Sequence, residues 1–134
     1  MIPKFRVWDK KEKFMWVVAA LRFYEEGNLF AIDYWGVQQY PETLDAEDVV
    51  LMQATGLQDK KGVDIYEGDI IKTGETVDWL NEDMGVIRFL DGAFFIDYHN
   101  LDTEFDYIGN ISLPIEVVGN IYENPELLEG DNDD

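Results

Sequence analysis

The chain of 134 residues has no cysteine, one histidine, one serine and no apolar run longer than the eight residues from Phe14 to Leu21. Each shortage removes a class of chemistry. Without cysteine there is no disulfide framework, no thiolate zinc site and no thiol nucleophile. With His99 as the only imidazole and Ser112 as the only serine, a Ser-His-Asp arrangement has almost nothing to be built from. An eight-residue apolar run is far short of the roughly 20 residues needed to cross a bilayer. The N-terminal stretch MIPKFRVWDKKEKF has basic residues but no apolar segment leading to a small-residue cleavage site, so a cytoplasmic, membrane-free protein is expected.

Basic residues are also scarce, ten against 29 acids, and they are unevenly placed. Residues 1–22 hold six Lys and Arg and two acids, about +4, whereas residues 23–134 hold four bases and 27 acids, about −23. Such a field repels phosphate backbones, so direct nucleic-acid binding is disfavoured. The acidity serves solubility, attraction of a basic partner, or imitation of DNA. An apolar share of 46% and an aromatic share of 14% place that charge on a folded body with a core.

The local patterns are those of strands. Lys4–Asp9 alternates, with Phe5, Val7 and Asp9 on one side and Arg6 and Trp8 on the other; a charged turn over Lys10–Lys13 then leads into Phe14–Phe23. Glu25-Glu26-Gly27-Asn28 reads as a turn, Leu29–Trp35 as a third strand and Gly36–Asp48 as a loop. Val49–Met52 is a short strand. Glycines at 56, 62, 68 and 74 follow it, and because the residues after them are Leu57, Val63, Asp69 and Glu75 they make four separate turns, not a β-helix repeat. Asp69–Lys72 is a strand and Thr73–Asp83 a loop. Gly85–Leu90 and Ala93–Tyr98 form a hairpin across Asp91-Gly92, a pair suited to the positive φ angles of a type I′ turn. Glu116–Tyr122 is the last strand, and Asn124-Pro125-Glu126-Leu127-Leu128 suits one helical turn.

Three segments, KFRVWDKKEKFM, VVLMQATGLQDKKGVDIYEGDIIK (Val49–Lys72) and VVGNIYENPELL (Val117–Leu128), resemble the YopX family of phage and prophage proteins of Gram-positive bacteria. The resemblance implies a mainly β fold: an SH3-like roll or partly open barrel, an N-terminal β-meander packed alongside, and one short C-terminal helical turn. It implies one YopX-like domain over 1–128, with the meander and loop in 1–48, the barrel region in 49–128 and an acidic tail in 129–134. It carries no established activity.

Candidate sites are few. Glu67 and Asp69 flank Gly68 at the entry to a strand; they are read as turn acids in preference to a cation chelate. Asp102, Glu104 and Asp106 alternate as in a calcium loop, but Tyr107 stands where that loop needs glycine and Leu113 where it needs glutamate. No phosphate-binding glycine string occurs. Trp16 is assigned to the core, and Trp79, in a polar loop with Leu80, is either an aromatic folded back over the barrel mouth or an interface anchor. The expected partner surface is therefore Tyr66, Glu67, Asp69 and Trp79, with no catalytic residue, metal or cofactor. The leading expectation is a non-catalytic module that binds a host or phage protein, with self-association left open. An acidic DNA mimic and a carboxylate-based, metal-dependent hydrolase are the alternatives.

Overall fold

The structure, a computed structural model, describes residues 4–38, 40–73, 83–98, 105–108 and 115–128. The chain forms two compact units, residues 1–54 and 55–134. Their strands are β1 (Phe5–Asp9), β2 (Phe14–Phe23), β3 (Leu29–Trp35), β4 (Pro41–Asp45), β5 (Val49–Gln58), β6 (Asp64–Tyr66), β7 (Asp69–Thr73), β8 (Asp83–Leu90), β9 (Ala93–Tyr98), β10 (Phe105–Tyr107) and β11 (Ile115–Asn120). The only helical elements described are short 3-10 turns, among them Ala46–Asp48 and Pro125–Leu128. No helix among the described residues is long and apolar enough to cross a membrane. The fold is mainly β, in two antiparallel sheets that do not close into a barrel.

One sheet has six strands in the order β4-β3-β2-β1-β5-β6, of which β1 to β4 and the start of β5 lie in the first unit. The Lys10–Lys13 turn forms because the Asp9 carboxylate accepts from the backbone N–H groups of Lys11 and Glu12, both at 3.1 Å. Trp16 adds its indole Nε1–H to the same carboxylate at 3.4 Å. Cross-strand pairs Val7↔Trp16, Leu21↔Ile32 and Ile32↔Leu44 line up the apolar face. There Val7, Ile32 and Val49 are buried, with Trp16, Val18, Leu21, Leu29, Leu44 and Leu51 packed against them. Two register shifts along β2, between Val18 and Ala20 and between Arg22 and Phe23, bend the strand and increase the local twist of the sheet.

The second unit holds a sheet of order β10-β9-β8-β7-β11. Asp91 and Gly92 have φ angles of 51° and 82°, and Leu90↔Ala93 closes the ladder, so the expected two-residue hairpin forms. Ile65, Ile71, Ile87, Ile96 and Ile108 make the core, each fully buried isoleucine contributing about 1.5–3 kcal/mol. In β7 the adjacent Ile70 and Ile71 are both fully buried, so this strand is covered on both faces.

Several boundaries differ from the sequence reading. The loop expected over Gly36–Asp48 contains β4, an edge strand whose residues are almost all exposed and therefore lack the apolar alternation that marks a half-buried strand. The strand expected at Val49–Met52 continues to Gln58, so Gly56, with φ 89°, lies inside β5 and not in a turn. Asp64–Tyr66 is a strand of three residues, too short to show a pattern. A strand at Phe105–Tyr107 occupies part of the stretch read as mixed and acidic. Asn124 does not cap the last turn with its side chain: its Oδ1 accepts from the Asn120 N–H at 3.2 Å.

Candidate functional surface

Three of the four residues singled out from the sequence meet in the turn between β6 and β7. Gly68 has φ 90°, a conformation that a Cβ would strain, and its N–H donates to the Ile87 carbonyl at 2.8 Å. Its own carbonyl accepts from Ile121 N–H at 3.0 Å. Asp69 is only 1% exposed, and its Oδ2 accepts from the Tyr66 N–H at 2.7 Å. That carboxylate closes the turn from inside, while Tyr66 and Glu67 are half-buried. A molecule approaching this turn from solvent would meet Tyr66 and Glu67. Trp79 lies outside the described residues, as do His99, Asp102, Glu104, Ser112, most of the Thr73–Asp83 loop and the 129–134 tail.

The sequence reading missed a second buried acid. Asp59, 7% exposed, accepts from Lys61 N–H at 2.8 Å and Val63 N–H at 2.9 Å through Oδ1, and from Val117 N–H at 2.9 Å through Oδ2. Burial raises its pKa, but the three backbone donors outweigh burial and hold the carboxyl below its ordinary value. Lys60 N–H also donates to the Ile115 carbonyl at 3.0 Å, and Lys61 and Lys60 reach Glu116 at 2.9 and 3.5 Å. The turn before β6 thereby covers the outer edge of β11.

Asn120 does similar work: its Oδ1 accepts from Tyr122 and Glu123 N–H groups at 3.0 and 2.8 Å. In the first unit Asp33 is held by Arg22, with Nη2 to Oδ2 at 2.9 Å, and by the Thr43 hydroxyl at 2.7 Å. The hydrogen bond from Arg22, then that from Thr43, lower its pKa against a smaller desolvation effect. Asp9, Asp33, Asp59 and Asp69 thus each accept bonds that fix a turn or a strand pair. Among the described residues no three His, Asp or Glu converge as a metal site would need.

The solvent-facing residues of the first unit include a group of large apolar side chains. Val17 is 63% exposed and Trp35 48%, and Val37 and Tyr40 beside them are more than half exposed. Val18 pairs with Tyr34 and Trp35 with Pro41, so one step along the ladder sets Val17 opposite Trp35 on the face away from the core cluster. Tyr24 and Phe30, also exposed, stack at the far end of β3 with ring centroids 4.7 Å apart. One signal was present in the sequence: Phe14–Leu21 is apolar at every position, on both faces of the strand, yet Val17 is exposed. Residues 23–59 contain eight acids and no Lys or Arg, and the bases that border this surface are Arg6, paired across from Val17, and Arg22, bound to Asp33.

A sequence model of the family described as YopX protein matches residues 4–129. Among curated proteins, the SPbeta prophage-derived uncharacterized protein YopX of Bacillus subtilis is 36% identical over 73 residues. That match takes in 52% of this chain and 54% of the relative, so it spans about half the length of the curated protein. Among solved structures, protein EF1440 from Enterococcus faecalis matches with a TM-score of 0.65 and 34% identity, covering 96% of this chain and 99% of that one. The crystal structure of protein yopX from Bacillus subtilis matches with a TM-score of 0.66 and 25% identity, over 95% and 96% of the two chains. None of these names states an activity.

Proposed function

Because this chain belongs to the YopX family, in which the relatives above carry no named activity, we propose that it is a phage or prophage accessory protein that acts without catalysis, by binding another protein. The observation that carries this reading is the solvent-facing apolar surface of the first unit, where Val17 and Trp35 sit side by side on a sheet face. Interface hot spots favour exposed aromatics that become buried on contact. The buried acids support the same reading, since Asp9, Asp59 and Asp69 are engaged by backbone donors. Affinity capture from a Bacillus subtilis lysate tests it. A specific partner retained at both low and moderate salt, and lost with Trp35→Ala, is expected; a bait that retains nothing specific at either salt would count heavily against it. Millimolar magnesium or calcium should leave the melting temperature unchanged, and a rise of several degrees would instead favour a carboxylate metal site through linkage.

A further inference from the structure

We infer that the outer edge of β4 is where the partner docks, as an added strand supplied by an extended, basic polypeptide segment; this rests on the protein-binding reading above. The hydrogen bond from Gly36 N–H to the Tyr40 carbonyl fixes the phase of the β3–β4 ladder. Alternate pairs exchange bonds in an antiparallel ladder, so Tyr34↔Glu42 and Ile32↔Leu44 are the bonded pairs. The Thr43 N–H and C=O and the Asp45 N–H therefore point away from β3, and among the described residues no further strand of the sheet lies beyond β4. This is the arrangement that strand-adding peptides use: backbone bonds supply affinity and alternate side chains supply selectivity.

The chemistry of the occupant follows from the surroundings. Pro41, Thr43 and Asp45 share the face on which Trp35 and Val17 are exposed, so the incoming strand meets Trp35 beside Pro41 and the Arg22–Asp33 pair beside Thr43. Glu42, Asp45 and Glu47 are exposed along or next to the strand; the bases that reach this stretch are already engaged, Arg22 with Asp33, Lys10 with the Glu47 carbonyl and Lys11 with Asp48. A segment alternating Lys or Arg with β-branched residues is complementary to both. A second copy of this chain is not, because it would bring another net charge of −19 to the same edge.

The test is selection from a random short-peptide display library against the full chain, followed by amide exchange on the complex. Selected peptides should be rich in Lys, Arg and β-branched residues, slow the exchange of the Thr43 and Asp45 amides, and bind more weakly as salt rises. Thr43→Pro removes the outward N–H, and Asp45→Lys reverses the charge without touching the core; each should weaken binding about tenfold, the loss of about 1.4 kcal/mol expected for a well-placed contact. Unchanged melting for Asp45→Lys separates this from misfolding. Peptides that are acidic, that protect other amides, or that ignore both variants would overturn the edge assignment. So would a selection without binders when lysate capture still retains a partner insensitive to Thr43→Pro. A lysate capture that retains nothing would instead sink the protein-binding reading itself.

Discussion

The two outer strands β4 and β11 are treated in opposite ways. The edge of β11 is sealed: Asp59 accepts from Val117 N–H, Lys60 donates to the Ile115 carbonyl and two lysines bind Glu116. Among the described residues β4 has no such cover, and its protection against unwanted pairing is a proline at its first position and the exposed acids Glu42 and Asp45. A sealed edge is part of the stability of a domain, whereas an open one kept soluble by charge stays available for contact. Stability and recognition are thus expected to separate along this line.

The largest effect should come from opening the sealed edge. Asp59→Ala leaves three backbone donors without their acceptor, and a loss of about 3 kcal/mol is expected in urea unfolding, with faster amide exchange at Val117. An Asp59→Ala protein as stable as the parent would break the comparison. Next, Gly85 faces Ile96 so closely that an added Cβ would lie 2.6 Å from its Cγ2 and 3.1 Å from the Asp97 carbonyl oxygen. Gly85→Ala should cost about 1–3 kcal/mol by overpacking and leave the β4 edge functional.

The same carboxylate predicts a pH dependence. The folded-state pKa of Asp59 is depressed, so its contribution is present above the unfolded pKa and is lost as pH falls through the folded value. The melting temperature should decline below about pH 4, near the unfolded carboxyl value, and decline less steeply in Asp59→Asn. A profile identical in the variant would remove Asp59 as the cause. The smallest stability change belongs to the open edge: Asp45→Val with Glu47→Val should shift unfolding by no more than about 0.5 kcal/mol, as for ordinary surface sites. Light scattering should nonetheless rise, because the charges that discourage edge-to-edge pairing are gone.

The strands of the first meander and the Asp91-Gly92 hairpin were legible because each carries its own pattern: apolar alternation, or two residues that tolerate positive φ. β4 was not, since Leu44 alone in this edge strand turns to the core and a single residue makes no apolar rhythm. Of the candidate surface, the grouping of Tyr66, Glu67 and Asp69 followed from adjacency in the chain, but the inward aim of Asp69 depends on turn geometry. Asp59 was invisible as a clamp because its third donor comes from a distant strand. Trp35 went unremarked because its exposure is decided by which face of β3 the core occupies. The segments that carry the family resemblance include Asp9, Asp59, Asp69 and Asn120, so that signature records how turns are fixed and is silent about chemistry.

The bond from Val117 to Asp59 spans 58 residues of chain, and it has a consequence for the order of folding. β7 lies between β8 and β11, so one of its flanks stays unpaired until residues 115–120 leave the ribosome. Residues 1–54 meet no such delay, because every pairing among β1 to β4 and the start of β5 is available once they have emerged. Loops closed over long separations are slow to form. Synthesis therefore passes through a stage in which the pairings of β1 to β4 can form while the apolar strand β7 waits for its second neighbour, an interval in which exposed strand edges favour aggregation.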